Sequence, residues 1–316
     1  MTVVVSALIG APPMADGQPP AKVHRVGVLS PASVGSIEVI FAALRDLGYV
    51  QGQNLVVERR YAEGHLDRLP RLARELAQLP VDVVVAFTAG GIAAAKDATK
   101  TIPIVMFGTT DPVGHGFITS LARPGGNITG VTYSAGPEIA AKRVELIKEA
   151  VPRARRIAVL STRELGSPPQ VREAWSAASR LGVELVVVDV RDDEYDRAFG
   201  EIVAKRADAL FVVGSPVLTS DRKRIIALAA KHHLPAIYEW REHVEEGGLM
   251  AYGTSGRWAI QRLAIYVDRV LKGANPAEMP IEQATTLTLA FNLKTAKALG
   301  LTIPPSLLAR ADQVIE

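Results

Sequence analysis

The 316-residue sequence contains no cysteine. That excludes disulfides, thiolate metal sites, a cysteine nucleophile and an N-terminal lipoprotein cysteine. Net charge is also scarce, since 36 basic and 33 acidic residues leave only +3. No Lys/Arg run is interleaved with aromatics, so nothing marks a nucleic-acid face. No apolar run approaches the roughly 20 residues needed to span a bilayer. The nucleotide fingerprints are missing: no GxGxxG follows a strand and no GxxxxGK[ST] occurs. Gly253-Thr254-Ser255-Gly256 lacks the spacing of a GxSxG elbow. The six histidines form no HExxH pair. His232-His233 read as a helix terminus, His115 as a loop residue near a cleft, and His243 as part of a solvated polar turn. Nucleophile, base and orienter do not assemble, so no catalytic set, metal or cofactor is expected.

What is present is a strong alternation. With 48% hydrophobic and 22% charged residues the chain is globular, and its length suits two domains of about 150 residues. From Arg25 the pattern is strand, turn, helix, repeated. Val26 to Leu29 reads as a strand, Ile37 to Leu47 as a helix and Leu55 to Tyr61 as a strand. An amphipathic helix follows over Leu66 to Leu79, then a strand over Val81 to Phe87, a helix over Gly91 to Thr99 and a strand over Ile102 to Phe107. The Val-rich run Val81 to Phe87 implies a parallel sheet covered on both faces. The stretch from Gly108 to Tyr133 packs turn formers around one short apolar helical piece and ends in a strand, which places a crossing between lobes there.

The second half echoes the first. Arg25-Val-Gly-Val-Leu-Ser30 recurs as Arg156-Ile-Ala-Val-Leu-Ser161. Leu47-Gly48 recurs as Leu181-Gly182, Val81-Asp82 as Ala207-Asp208, and Ile102-Pro103-Ile104 as Leu234-Pro235-Ala236. Four landmarks in one order point to two doubly wound α/β lobes with parallel sheets. The remainder reads as an amphipathic helix over Ser255 to Leu271, extended pieces at Pro280 to Gln283 and Thr288 to Asn292, and a short helix over Leu293 to Leu299. These segments are expected to cross back between the lobes.

In open α/β sheets a ligand sits beyond the carboxyl ends of the strands. The small polar residues there are the candidates: Ser30, Thr88-Ala89-Gly90, Thr109, Thr110 and Asp111 from the first lobe, and Arg163, Ser215, Tyr238, Glu239 and Trp240 from the second. Thr88 to Gly91 opens a helix whose free N–H groups favour a carboxylate or phosphate, although helix capping uses the same residue types. Arg163 could clamp a carboxylate and Glu239 could accept an ammonium group. Tyr238 or Trp240 could stack on an apolar ligand body, with lobe packing an even alternative for Trp240. Asp111 before Pro112 suits a turn-forming hinge residue better than a ligand contact.

At this point the sequence resembles the ABC-transporter substrate-binding proteins of the tryptophan/tyrosine-binding type. The resemblance is carried by LGYVQGQNLVVERRYAEG (Leu47 to Gly64), TIPIVMFGTTDPVGHGFITSLARPGGNITGVT (Thr101 to Thr132) and GGLMAYG (Gly247 to Gly253). YVDRVLKGANPAEMPIEQ (Tyr266 to Gln283) and NLKTAKALGLTIPPSLLARADQVIE (Asn292 to Glu316) extend it over nearly everything from Val23 onward. It implies a type I periplasmic-binding-protein fold with two Rossmann-like lobes joined by three hinge crossovers. The lobes are expected to comprise residues 22–133 with 253–284, and 134–252 with 285–316. The implied role is capture of a small molecule by hinge closure, with transient delivery to an ABC permease in the membrane. A carboxylate-bearing ligand is expected, either an amino acid or an aromatic or organic acid, and the protein is expected to be a periplasmic monomer. Residues 1–21 resemble the apolar core and cleavage zone of an export signal without its charged start. Two other classes share the shell. A ligand-sensing effector domain would need a DNA-binding headpiece of about 50 residues, more than the 24 before Arg25 are expected to hold. An enzyme would need the catalytic set that is missing.

Overall fold

The computed structural model describes residues 22–31, 38–109, 111–132, 136, 138–162, 167–191, 193–284 and 286–316. In chain order the first part runs β1 (His24–Ser30), α1 (Glu38–Asp46), β2 (Leu55–Tyr61), α2 (Leu69–Ala77), β3 (Val83–Phe87), α3 (Thr88–Ala98), β4 (Ile104–Phe107) and β5 (Ile128–Thr132). There follow α4 (Ile139–Ala150), β6 (Arg156–Ser161), α5 (Ser167–Leu181), β7 (Glu184–Asp189), α6 (Tyr195–Ala204) and β8 (Ala209–Val212). Next come α7 (Pro216–Ser220), α8 (Arg222–Lys231), β9 (Ala236–Tyr238), α9 (Arg241–Glu245) and β10 (Met250–Gly253). The chain closes with α10 (Gly256–Leu271), β11 (Glu282–Gln283), β12 (Thr288–Asn292), α11 (Leu293–Ala298), α12 (Pro305–Leu308) and β13 (Gln313–Ile315).

These elements build two sheets, ordered β11-β5-β4-β3-β1-β2 and β13-β12-β10-β9-β8-β6-β7. Strip off the late strands and both halves have one order: β5-β4-β3-β1-β2 matches β10-β9-β8-β6-β7 position for position. Strand pairing is parallel except where β12 runs antiparallel to β10. The echo seen in sequence is a repeated wiring scheme. Asp82 Oδ2 accepts the N–H of Arg25 at 2.7 Å, and Asp208 Oδ2 accepts those of Arg155 and Arg156 at 2.7 and 2.9 Å. Arg25 then pairs with Glu58 at 3.2 Å on the second strand, as Arg156 does with Glu184 at 2.8 Å.

Period-two alternation explains the layering of the first sheet. Val83, Val85 and Phe87 join a core with α1 and α10, while Val84 and Ala86 face α2 and α3. In α2, Leu69, Leu72, Ala73 and Leu76 are the buried residues, the one-stripe spacing of an amphipathic helix. Helix α10 starts where Ser255 Oγ accepts the N–H of Trp258 at 3.3 Å, an N-cap. A second, larger core covers both faces of the other sheet.

The chain passes between the sheets three times: from β5 to α4, from β10 to α10, and from β11 to β12. The short helical piece expected within residues 112–126 is instead a series of turns. Asp111 Oδ1 accepts the N–H of Gly114 at 2.7 Å there, and that side-chain bond closes a turn in place of a helical one.

Candidate functional site

Strand β9 is three buried residues long, and it delivers Glu239 and Trp240 to the carboxyl edge of the second sheet. Glu239 is 5% exposed and Arg143, from the first turns of α4, is 1% exposed. Their closest approach is 3.3 Å between Arg143 Nη2 and Glu239 Oε1. Arg143 Nε also donates to the Tyr252 carbonyl at 2.7 Å, which fastens the guanidinium to β10. Among the described residues, Glu239 Oε2 and Arg143 Nη1 are buried without a hydrogen-bond partner. Burial drives the Glu239 carboxyl above the usual range, and the adjacent Arg143 charge and hydrogen bond offset that rise only in part. A buried acceptor left open in a native fold calls for an explanation, and a ligand donor is one.

Glu239 borders a cavity of about 320 Å³ between the two sheets, a size that suits a small-molecule site. The first lobe contributes Val39, Phe87, Phe107 and the opening turn of α10, Gly256, Arg257 and Ile260. Phe87 and Phe107 end adjacent strands and meet edge-to-face, with centroids 5.6 Å apart. The second lobe contributes Ser215, Thr219, Arg222, Trp240 and the acidic face of α9, Glu242, Glu245 and Glu246. Four carboxylates therefore face two guanidiniums. Arg222 is engaged by Glu246 at 2.6 Å, and Glu242 Oε1 accepts the N–H of Arg257 at 3.2 Å across the lobes. The cavity is aromatic on one wall and net negative on the other.

Trp240 is half-buried and packs against the hydrophobic core of the first lobe. Its ring lies so near Gly256 that a Cβ there would stand 2.9 Å from Cδ2 of the indole. Only a glycine lets the two lobes approach this closely.

The structure brings Ser215, Glu239 and Trp240 together in this cavity. Ser215 Oγ accepts the N–H of Leu218 at 3.4 Å and caps α7. Ser30, Ala89 and Thr109 are buried at the strand ends and do not border it. The Ser30 carbonyl accepts the N–H of Ala62 at 2.9 Å, and Thr109 Oγ1 lies 3.3 Å from His115 Nδ1. Thr88 and Gly90 border a separate depression of about 520 Å³ beside α2. Thr88 adopts φ +66°, uncommon for a β-branched residue, and its Oγ1 accepts the N–H of Gly91 at 3.4 Å. Asp111 is exposed and occupied by its turn. Tyr238 is 1% exposed and stacks on His243 at 5.0 Å inside the second lobe, and burial raises its hydroxyl pKa. Thr110 and Arg163 lie outside the described residues.

His243 corrects the expectation of a solvated turn. It sits in α9 at 3% exposure, and burial lowers its pKa to about 4. The two phenylalanines, Arg143, Arg222 and the acidic face of α9 were not anticipated. Phe87 and Phe107 carried a usable signal, since each is the last residue of an apolar strand. Arg143 carried none, because it reads as one more cation on an amphipathic helix.

Two lobes of one strand order, joined by three crossings with a cavity between them, define a type I periplasmic binding protein. The chain belongs to the ABC transporter substrate-binding protein family, whose model matches residues 26–315. That is a class of binding proteins rather than enzymes. A tyrosine-binding protein of Clostridioides difficile (strain R20291) is 28% identical over 261 residues, 82% of this chain and 74% of the relative. An ABC domain from Streptococcus pneumoniae, solved in complex with L-Trp, is 28% identical with a TM-score of 0.79, covering 93% of this chain and all of that one. A conserved domain protein from Vibrio cholerae O1 biovar El Tor reaches a TM-score of 0.81 at 27% identity over the same 93%. Among the described residues no helix is long and apolar enough to cross a membrane.

Proposed function

We propose that this chain is the solute-binding component of an ABC import system and that it captures an aromatic amino acid between its lobes. The observation that carries the reading is the open, buried Oε2 of Glu239 at a cavity walled by Phe87, Phe107 and Trp240. An ammonium group satisfies that oxygen, and an aromatic body fills the apolar wall. Arg222, on the second-lobe wall with Glu239, is paired with Glu246 and has further N–H groups for the ligand's carboxylate. The tyrosine and L-Trp named for two relatives fit this chemistry. The lobes follow the division at residues 22–133 with 253–284 and 134–252 with 285–316. Contacts from both stabilise a closed state, which a membrane permease recognises. The protein works outside the cytoplasmic membrane as a monomer.

Titration calorimetry with L-Trp, L-Tyr, tryptamine and indole-3-propionate tests this. The two amino acids bind tightest, tryptamine binds more weakly, and the acid lacking the ammonium does not bind. Tight binding of indole-3-propionate with none of L-Trp would overturn the assignment of Glu239.

A further inference from the structure

We propose that Arg143 is a positioning residue of this site: its guanidinium keeps Glu239, at the border of the cavity, a carboxylate, so the site selects an ammonium over a neutral isostere. The inference rests on the reading that the cavity takes an amine. A carboxyl group at 5% exposure takes up a proton unless a cation compensates it. The groups around Glu239 leave Arg143 to do this. From α9, Glu242, Glu245 and Glu246 add negative charge, which favours protonation. His243, on the same helix, is driven toward its neutral form by burial. From α8, Arg222 is already paired with Glu246, and from α10, Arg257 is exposed. Ser215, from the turn after β8, is uncharged. Arg143 alone among these is bonded to Glu239, and a guanidinium does not lose its proton in a protein.

The geometry divides the labour within the carboxylate. Arg143 uses Oε1, and Oε2, lying against Gly214, is buried without a hydrogen-bond partner. The bond from Nε to the Tyr252 carbonyl stops the guanidinium from swinging away when a ligand cation enters. Arg143 is not among the cavity-lining residues, so it acts through Glu239.

Carbon-13 NMR of the glutamate carboxyls, with Glu239 assigned by its loss in Glu239→Gln, tests the inference without ligand. In the wild type Glu239 stays ionised from about pH 6 to pH 8, and in Arg143→Gln it titrates within that window. Arg143→Lys keeps it ionised. Calorimetry with L-Trp in buffers of different ionisation enthalpy adds a second readout. Wild type exchanges almost no proton on binding. Arg143→Gln binds about tenfold or more weakly at pH 7, releases close to one proton, and regains affinity as pH rises. A protonated Glu239 in the wild type at neutral pH would overturn the inference. So would an ionised one in Arg143→Gln, or wild-type L-Trp affinity in that variant. If the carboxyl titrates as expected but wild type binds no aromatic amine, the proposed function fails and the hold of Arg143 on Glu239 stands. Should Arg143→Gln not fold, the wild type and Arg143→Lys still decide the ionisation of Glu239.

Discussion

A Cβ on Gly214 would lie 2.6 Å from the carboxyl carbon of Glu239. The strand end of β8 therefore needs glycine for the carboxylate of β9 to lie against it, and its backbone is not in the left-handed region. Gly214→Ala tests Glu239 by displacement. We expect it to cost about 1–3 kcal/mol of stability, as overpacking does, and to weaken L-Trp binding by about tenfold. Urea titration and calorimetry check the two effects, and unchanged affinity in a folded variant would show that the carboxylate position is unimportant.

Asp82→Ala and Asp208→Ala probe the repeated wiring at the two sheets. Each removes a carboxylate that accepts backbone N–H groups of the lobe's first strand. Both sites are at least partly solvated, so each is expected to cost roughly 1–2 kcal/mol. Asp208, which accepts two such bonds, costs the more. Ligand affinity stays within about twofold in both variants, because neither residue borders the cavity.

His243 makes the second lobe sensitive to acid. Its pKa of about 4 in the folded chain lies below the ordinary histidine value of 6.5, because burial against Tyr238 disfavours the cation. The unfolded chain thus takes up the proton first. Stability attributable to His243 is complete above about pH 6.5, falls as pH drops toward 4, and loses on the order of 3 kcal/mol in all. The raised Glu239 acts oppositely: its folded form binds a proton more readily, so its contribution falls as pH rises above the ordinary carboxyl range. Urea denaturation of wild type and His243→Phe across this range separates them. The variant should lose the decline between pH 6.5 and 4.

Trp240→Ala removes a ring that borders the cavity and packs on the first lobe at Gly256. We expect L-Trp affinity to fall by about 30-fold or more, near 2 kcal/mol, as for a central aromatic anchor. With a second aromatic amino acid such as L-Tyr as ligand, the intrinsic fluorescence change on binding should disappear in Trp240→Phe and persist in Trp175→Phe. Trp175 is exposed on α5, away from the cavity.

The regular elements were legible where one local rule acted alone. Leu55–Tyr61 and Thr288–Asn292 have the bounds read from sequence. The strand expected from Val81 starts at Val83, because Asp82 spends its side chain on the N–H of Arg25. The helix expected from Gly91 starts at Thr88, because the left-handed turn at that residue brings the chain directly from strand to helix. His243 misled because Glu242 and Glu245 beside it suggested solvent, whereas α9 turns His243 and Val244 inward and those two carboxylates outward to the cavity. For the site, Ser215, Glu239 and Trp240 were accessible as residues following strand ends. Arg143 was not, since its partner lies 96 positions away and no local pattern encodes a pairing over that distance.

The three passages between the sheets also lie next to one another. Gln283 pairs with Thr132 beside the first, and Thr288 pairs with Gly253 beside the second, with its Oγ1 donating to the Gly253 carbonyl at 3.2 Å. One connecting strand would be a swivel, free to twist as well as bend. Three whose flanking strand ends are bonded side by side would, under the proposed closure, act as the leaf of a door hinge and leave a single axis of rotation. A twist would slide Trp240 off Gly256 and carry Glu242 away from the α10 terminus. Under the proposed hinge closure, a bend about one axis would return both pairs to the same register, and the cavity would be remade with one shape.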